Sequence, residues 1–180
     1  PEQVALITAA QRDPNALSTE IAHAAGLRSH ELLTLRRIAE RSPSPDATSR
    51  ALPEKFQGRE GVHYTVKGKG GLVREVVLPT PLAERLEMLR YESPQRVTDR
   101  GIHYGQHYAI SGGQRWANSF SAASNRALGW SSGAHGVRHS YAQERMNELQ
   151  NSGLNRAHAL EVVSQEMGHF RPEITETYLR

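Results

Sequence analysis

The 180-residue sequence contains no cysteine, which excludes disulfide scaffolds, thiolate zinc sites and cysteine nucleophiles together. Lysine is scarce as well: Lys55, Lys67 and Lys69 are the only ones among 22 basic residues, and the rest are arginines. Hydrophobic residues make up 37% of the chain and mean hydropathy is −0.61. No apolar stretch approaches the roughly 20 residues of a membrane-spanning helix, so no membrane partner is expected and a cytoplasmic location is. The opening Pro1-Glu2-Gln3-Val4 has no initiator Met, charged n-region or apolar h-region, which argues against a signal peptide and suggests a piece of a longer protein.

What the chain does have is arginine. A guanidinium is a planar fork that grips carboxylate or phosphate with parallel hydrogen bonds. With a formal net charge of +3 and a pI near 9.5, the composition leans toward a polyanionic partner, although codon bias in a GC-rich genome would give the same excess.

The periodicity outlines a single domain. Val4, Ile7, Leu17, Ile21 and Ala24, then Leu32, Leu33, Leu35 and Ile38, recur at helical spacings over 1–38; Ser18 is a candidate N-cap and Gly26 a bend. Residues 41–60 carry Pro43, Pro45, Pro53 and Gly58 and read as a loop. The period then drops to two: Val62–Val66 and Leu72–Leu78 flank Lys67-Gly68-Lys69-Gly70-Gly71, a glycine-turned hairpin. Helical spacing returns with Leu82, Leu86 and Leu89, and a polar loop is expected from Ser93 through Gly113. Trp116, Phe120, Ala123 and Ala127 then form one helical stripe closed by Gly129. Further helices are predicted from His135 to Leu149, from Arg156 to Met167 with Gly168 as C-cap, and as a short piece after Pro172. The expected class is α+β, mainly helical, with one small antiparallel sheet.

Four segments carry residues suited to phosphate chemistry. His135 and Arg138 are three apart at a helix start, so they share a face near free N–H groups that favour anions. His169 follows the helix-ending Gly168, and Tyr178 lies on the last short helix; a phenol becomes a nucleophile only where a base or positive charge supports its phenolate. Arg28 sits in an apolar context where it needs a partner such as Glu31 or a ligand. Lys69 stands at the tip of the glycine hairpin.

In this order the segments resemble the catalytic domain of the tyrosine recombinases, the phage and mobile-element integrase family. Ala-Gly-Leu-Arg-Ser-His-Glu-Leu at 25–32 is similar to the box of the family's first arginine, Arg28. Gly-Lys-Gly-Gly at 68–71 is similar to its hairpin lysine, Lys69. His-Gly-Val-Arg-His-Ser-Tyr-Ala at 135–142 is similar to the His-x-x-Arg box, giving His135 and Arg138. Met-Gly-His at 167–169 followed by Tyr178 is similar to the closing box. The resemblance covers nearly all of 1–180 and implies a catalytic domain without the N-terminal helical DNA-binding domain that members usually carry. The acidic motif often seen after the first box is also missing.

The resemblance implies a site-specific recombinase that cleaves and rejoins double-stranded DNA, for integration or excision, by self-associating as a tetramer. Tyr178 would attack a phosphodiester to give a 3′-phosphotyrosine and a free 5′-hydroxyl. Arg28 and Arg138 would clamp the non-bridging oxygens, Lys69 would protonate the leaving oxygen, His135 would serve proton transfer and His169 would hydrogen-bond the phosphate. No cofactor and no metal are implied, and no Walker-type loop or clustered acidic set is seen. Three rivals stand beside it. A type IB topoisomerase-like enzyme would use the same kind of site. An inactive DNA-binding remnant would keep the fold alone. A metal hydrolase could use His135, His139 and His169, but lacks a glutamate after His135.

Overall fold

Residues 1–38 do not form a continuous run. The computed structural model, which describes residues 1–169 and 171–180, divides them into α1 (Glu2–Ala9), α2 (Asn15–Ala25), a 3-10 helix (Ser29–Thr34) and a two-residue strand β1 (Arg36–Arg37). Ser18, expected to start a helix, lies buried inside α2 and donates its hydroxyl to the carbonyls of Pro14 and Ser111 at 3.1 and 2.7 Å. A serine with acceptors in the preceding turn has no need to cap one. Gly26 ends α2 in the left-handed region (φ 66), and the Leu27 N–H closes back on the Ala22 carbonyl at 2.9 Å. A Cβ at residue 26 would stand 2.8 Å from the Tyr141 ring, so both backbone angle and space require glycine there.

The 41–60 segment is irregular apart from a short helix α3 (Pro45–Ser49). The predicted hairpin is present as β2 (Val62–Lys67) and β3 (Val73–Leu78), paired antiparallel from Val62↔Leu78 to Lys67↔Val73. β1 extends this sheet at the β2 edge through Arg36↔Thr65. Helix α4 (Thr80–Glu87) follows, burying Leu82 and Leu86.

The stretch expected as a loop from Ser93 to Gly113 is instead largely a second hairpin, β4 (Arg90–Asp99) and β5 (Ile102–Tyr108), closed through Asp99↔Ile102. Most of β4 is exposed, so it carries none of the in-out hydrophobic alternation that marks a half-buried strand. Pro94 falls where the register shifts between Arg90 and Gln95, a place that needs no ladder N–H from it. The protein therefore has a three-stranded sheet and a separate two-stranded one rather than one small sheet.

Helices α5 (Gly113–Leu128), α6 (Gly136–Asn151) and α7 (Arg156–Glu166) follow, then α8 (Pro172–Glu176) and a 3-10 turn (Thr177–Leu179). Trp116, Phe120 and Ala123 are buried as their spacing predicts, but Ala127 is exposed. The last turn of α5 has passed the core, and Leu128 makes the remaining contact. Leu160, Val163 and Met167 point inward, and Gly168 takes the left-handed conformation (φ 83) that ends the α7 segment.

The fold is α+β with two apolar clusters. One joins α2 and α5 to the three-stranded sheet through residues such as Ile21, Leu32, Val76 and Trp116, and the other lies between α6 and α7 around Met146, Leu149 and Val163. α6 faces α2 on one side and α7 with the C-terminal turn on the other. The end of α2, the start of α6 and the end of α7 thus meet at one seam.

Candidate active site

The site is built at that seam. Beyond Gly26 the backbone of Arg28 is extended, and the Glu31 carboxylate reaches back to accept the Arg28 N–H at 2.7 Å. This local turn fixes Arg28 beside Glu31, with its Nη1 3.7 Å from Glu31 Oε2. Arg138, on the first turn of α6, is wholly buried. It donates Nη1 to the Gly26 carbonyl at 2.5 Å and Nη2 to the Met167 carbonyl at 3.1 Å, tying the ends of α2 and α7 to α6.

His169 lies between the two arginines. Arg28 Nη2 and Arg138 Nη2 are each 3.1 Å from its Nε2, and its Nδ1 is 2.9 Å from Thr175 Oγ1. Guanidinium groups only donate, so Nε2 accepts and the ring proton sits on Nδ1, donated to Thr175. Burial, then the charges of Arg138, Arg28 and Arg74, push the His169 pKa down to about 3. The imidazole is neutral at every physiological pH.

Tyr178 covers this group. Its ring stacks on His169 at 5.7 Å between centroids and 22° between planes, Arg138 Cζ lies 5.2 Å from the ring centre, and the His139 ring packs at 5.0 Å. The Tyr178 carbonyl accepts from His139 Nδ1 at 3.1 Å, which anchors the C-terminal turn to α6. Arg28, Arg138, His169 and Tyr178 are therefore gathered in one contact group within one chain.

His135 and Lys69 stand around it. His135 occupies the N-cap position of α6, exposed, and lines a cleft of about 260 Å³ with Arg28 and Arg138. Desolvation, then the Arg138 and Arg28 charges, lower its pKa from 6.5. Lys69 is exposed on the β2–β3 turn and lines the neighbouring cleft rather than the one that holds Arg28, His135 and Arg138. The turn itself adjoins the group, since a Cβ on Gly68 would stand 3.4 Å from Glu31 Oε2.

Beneath the group lies a charged layer that spacing alone does not announce. Glu31 is fully buried and accepts from Arg74 Nη2 at 2.9 Å, with Arg138 Nη1 at 3.9 Å. Burial would raise its pKa, but Arg74, Arg138 and Arg28 together hold it at about 2. Arg74 also donates Nη1 to the Glu166 carbonyl at 2.7 Å. The Glu166 carboxylate takes a bidentate pair from Arg145 at 2.8 Å on each oxygen, plus the Tyr141 hydroxyl at 2.7 Å. This buried chain pins α6 to α7 and so sets Arg138 opposite His169. Two signals in the sequence point to it: Arg74 shares the inward face of β3 with Val76 and Leu78, and Arg145 continues the buried α6 stripe of Arg138, Tyr141 and Ala142.

Burying three arginines and two glutamates is costly unless every charge is paired. Here the excess is cationic, and Arg138 Nε has no hydrogen-bond partner among the described residues. Guanidinium donors converging on one acceptor, with a cationic cleft beside it, suit an anion with several oxygens. Among the described residues no group of three or more His, Asp or Glu side chains is placed to hold a metal ion. His139 and His169 are instead engaged with Tyr178 and the arginines. Nor is any helix among them long and apolar enough to cross a membrane.

No protein-family model and no curated protein sequence matches this chain. Solved structures similar to it in fold include two complexes of one recombinase. One is the XerH site-specific recombinase bound to difH substrate in a pre-cleavage complex, with 21% identity and a TM-score of 0.58 over 99% of this chain and 48% of that one. The other is XerH bound to palindromic difH substrate in a post-cleavage complex, with 20% identity and a TM-score of 0.58 over 99% of this chain and 46% of that one. The fold is tyrosine-recombinase catalytic-domain-like, and the chain spans about half the length of the XerH chains it resembles.

Proposed function

We propose that this chain is the catalytic domain of a site-specific DNA recombinase, with Arg28, Lys69, His135, Arg138, His169 and Tyr178 as its reacting groups. The observation that carries the reading is Tyr178 stacked on His169 at the point where Arg28 and Arg138 converge. A phenol held among fixed cations fits phosphoryl transfer by a covalent route. The likeness in fold to a recombinase crystallised with its DNA substrate supports the same reading.

In this mechanism Tyr178 Oη bonds to phosphorus as the bond to O5′ breaks, leaving a 3′-phosphotyrosine and a free 5′-hydroxyl. The phenolic proton leaves through His135, whose lowered pKa keeps it a neutral acceptor near pH 7. Lys69, on its exposed turn, delivers a proton to O5′. Arg28 and Arg138 place donors against the non-bridging oxygens, where charge builds up; each such donor is worth about 3 kcal/mol of transition-state stabilisation. A phosphate oxygen would take over the hydrogen bonds that His169 Nε2 accepts from both arginines. Its negative charge would also favour protonation of the ring, turning His169 into a further donor. Attack of a second strand's 5′-hydroxyl on the phosphotyrosine completes the exchange with no net change in bond type, so no external energy source is required. A synaptic assembly of several copies on two duplexes, serving integration or excision of a mobile element, belongs to the same proposal.

The test is incubation with a pool of nicked duplexes randomised around the nick, in which cleavage releases a short fragment and traps the enzyme. Wild type should give an SDS-stable protein–DNA adduct, and Arg28→Ala and Arg138→Ala should reduce it at least 100-fold. Undiminished adduct in both variants would refute the proposed site. Relaxation of supercoils without site preference would move the reading to a topoisomerase.

A further inference from the structure

The second hairpin contributes no residue to the contact group of Arg28, Arg138, His169 and Tyr178, yet its tip is built at a cost. The β4–β5 turn consists of Arg100 and Gly101, and both have positive φ, 49 and 77. Such a two-residue turn favours Asn-Gly, Asp-Gly or Gly-Gly, and an ordinary L-residue pays to enter the left-handed region. The tip is nevertheless fixed. Asp99 accepts the Gln114 N–H at 2.9 Å at the start of α5, and the Arg100 guanidinium donates to Gln114 Oε1.

This anchoring sets Arg100 at the junction of two clefts. On one side it lines the cleft that holds Arg28, His135 and Arg138. On the other it faces the β2–β3 turn across a larger cleft of about 480 Å³, which Arg36, Lys67 and Lys69 also line. Among the described residues none of Arg36, Lys67, Lys69 and Arg100 has a carboxylate within ion-pair distance. The acidic side chain of the larger cleft, Asp99, is committed to the α5 backbone. By contrast Arg37, Arg59, Arg85, Arg90 and Arg156 each meet a glutamate. Arg36 Nε is moreover buried without a hydrogen-bond partner among the described residues.

We propose that the cleft between the two hairpins is a groove for the backbone phosphates flanking the reacting one, with Arg100 as the cation that joins it to the Arg28–Arg138 site. The two hairpins are then opposed jaws, the first presenting Lys67 and Lys69 and the second Arg100. The inference rests on the strand-transfer reading for its polyanion, duplex DNA. It adds a positioning role for Arg100, whose unfavourable backbone is retained for the sake of its charge.

The experiment measures binding of the full chain to a short fluorescein-labelled duplex by anisotropy across a salt series. Each phosphate contact contributes about 0.9 to the slope of log K against log salt, or about 3.5-fold in affinity between roughly 50 and 200 mM. Arg100→Asn suits the left-handed turn and should keep or raise the melting temperature while lowering the slope by about 0.9. Arg36→Gln should do the same to the slope, Arg100→Lys should restore most of it, and Arg85→Gln, on α4, should match wild type. Unchanged slopes in both Arg100→Asn and Arg36→Gln would overturn the groove, as would the absence of duplex binding by wild type at about 50 mM salt. Adduct formation separates the two proposals. Covalent trapping with unchanged slopes removes the groove alone, whereas lowered slopes without any trapping keep the groove and remove the strand-transfer reading.

Discussion

Glu31 Oε1 accepts a hydrogen bond from Arg74 Nη2 at 2.9 Å, and both side chains are almost wholly buried. Through this pair the short 3-10 helix that follows Arg28 is tied to the sheet, and through the Arg74 bond to the Glu166 carbonyl it is tied to α7. The cations of the site are held in place from below by a carboxylate that is itself fully buried.

Removing that carboxylate leaves Arg74 and Arg138 buried without their counter-charge. Breaking one side of a buried pair costs about 3–5 kcal/mol. Glu31→Gln should therefore lose about 3 kcal/mol or more in urea unfolding, with the midpoint shifted and m unchanged. A loss below about 1 kcal/mol would show that the buried charges are relieved some other way.

The pH dependence of stability follows from His169 and Glu31. His169 has a pKa of about 3 in the fold against 6.5 unfolded, so between these values the unfolded chain binds more protons and stability falls as pH drops. The slope is at most about 1.4 kcal/mol per pH unit for one group. Glu31, at about 2 rather than 4.5, adds a further loss as pH falls from about 4.5 toward 2. In His169→Asn the decline between about pH 6.5 and 4.5 should become shallower, leaving the smaller contributions of His30, His107 and His135, whose pKa values are also lowered. Equal slopes for wild type and variant in that window, followed by circular dichroism, would mean that His169 is not held neutral.

Lys69 and Arg138 should respond differently to a better leaving group. A positioned general acid contributes about 100-fold or more, and a thiolate departs without one. Lys69→Ala should slow cleavage of ordinary DNA by about that factor and recover most of it when sulfur replaces the bridging O5′. Arg138→Ala, which loses charge stabilisation on the non-bridging oxygens, should not recover. Single-turnover gels on the two substrates read the difference, and equal rescue of both variants would take the proton-donor role away from Lys69.

Several features were legible in the sequence because local chemistry decided them. The β2–β3 hairpin is announced by period-two residues on both sides of a glycine run, and α5 and α7 by apolar stripes closed by Gly129 and Gly168, both with positive φ. The hairpin β4–β5 is hidden because β4 is exposed along most of its length and β5 buries Gln106 and Tyr108 only near its end, so backbone pairing rather than hydrophobic alternation defines it. Likewise Arg28, Arg138, His169 and Tyr178 could be selected from their motifs, and the structure gathers them. Their supports, Arg74, Arg145 and Glu166, carry no motif, because a charge on an apolar face shows its partner only in three dimensions. Lys69 has its motif too, but it stands on the turn at the rim, outside the contact group.

In the proposed function Tyr178 carries the DNA strand. The most direct measurement is to trap the adduct, digest DNA and protein, and identify the modified peptide by mass spectrometry. The account predicts a nucleotide 3′-phosphate on Tyr178 and no adduct in Tyr178→Phe. A phosphodiester link on any other residue, or an adduct that persists in Tyr178→Phe, would contradict it.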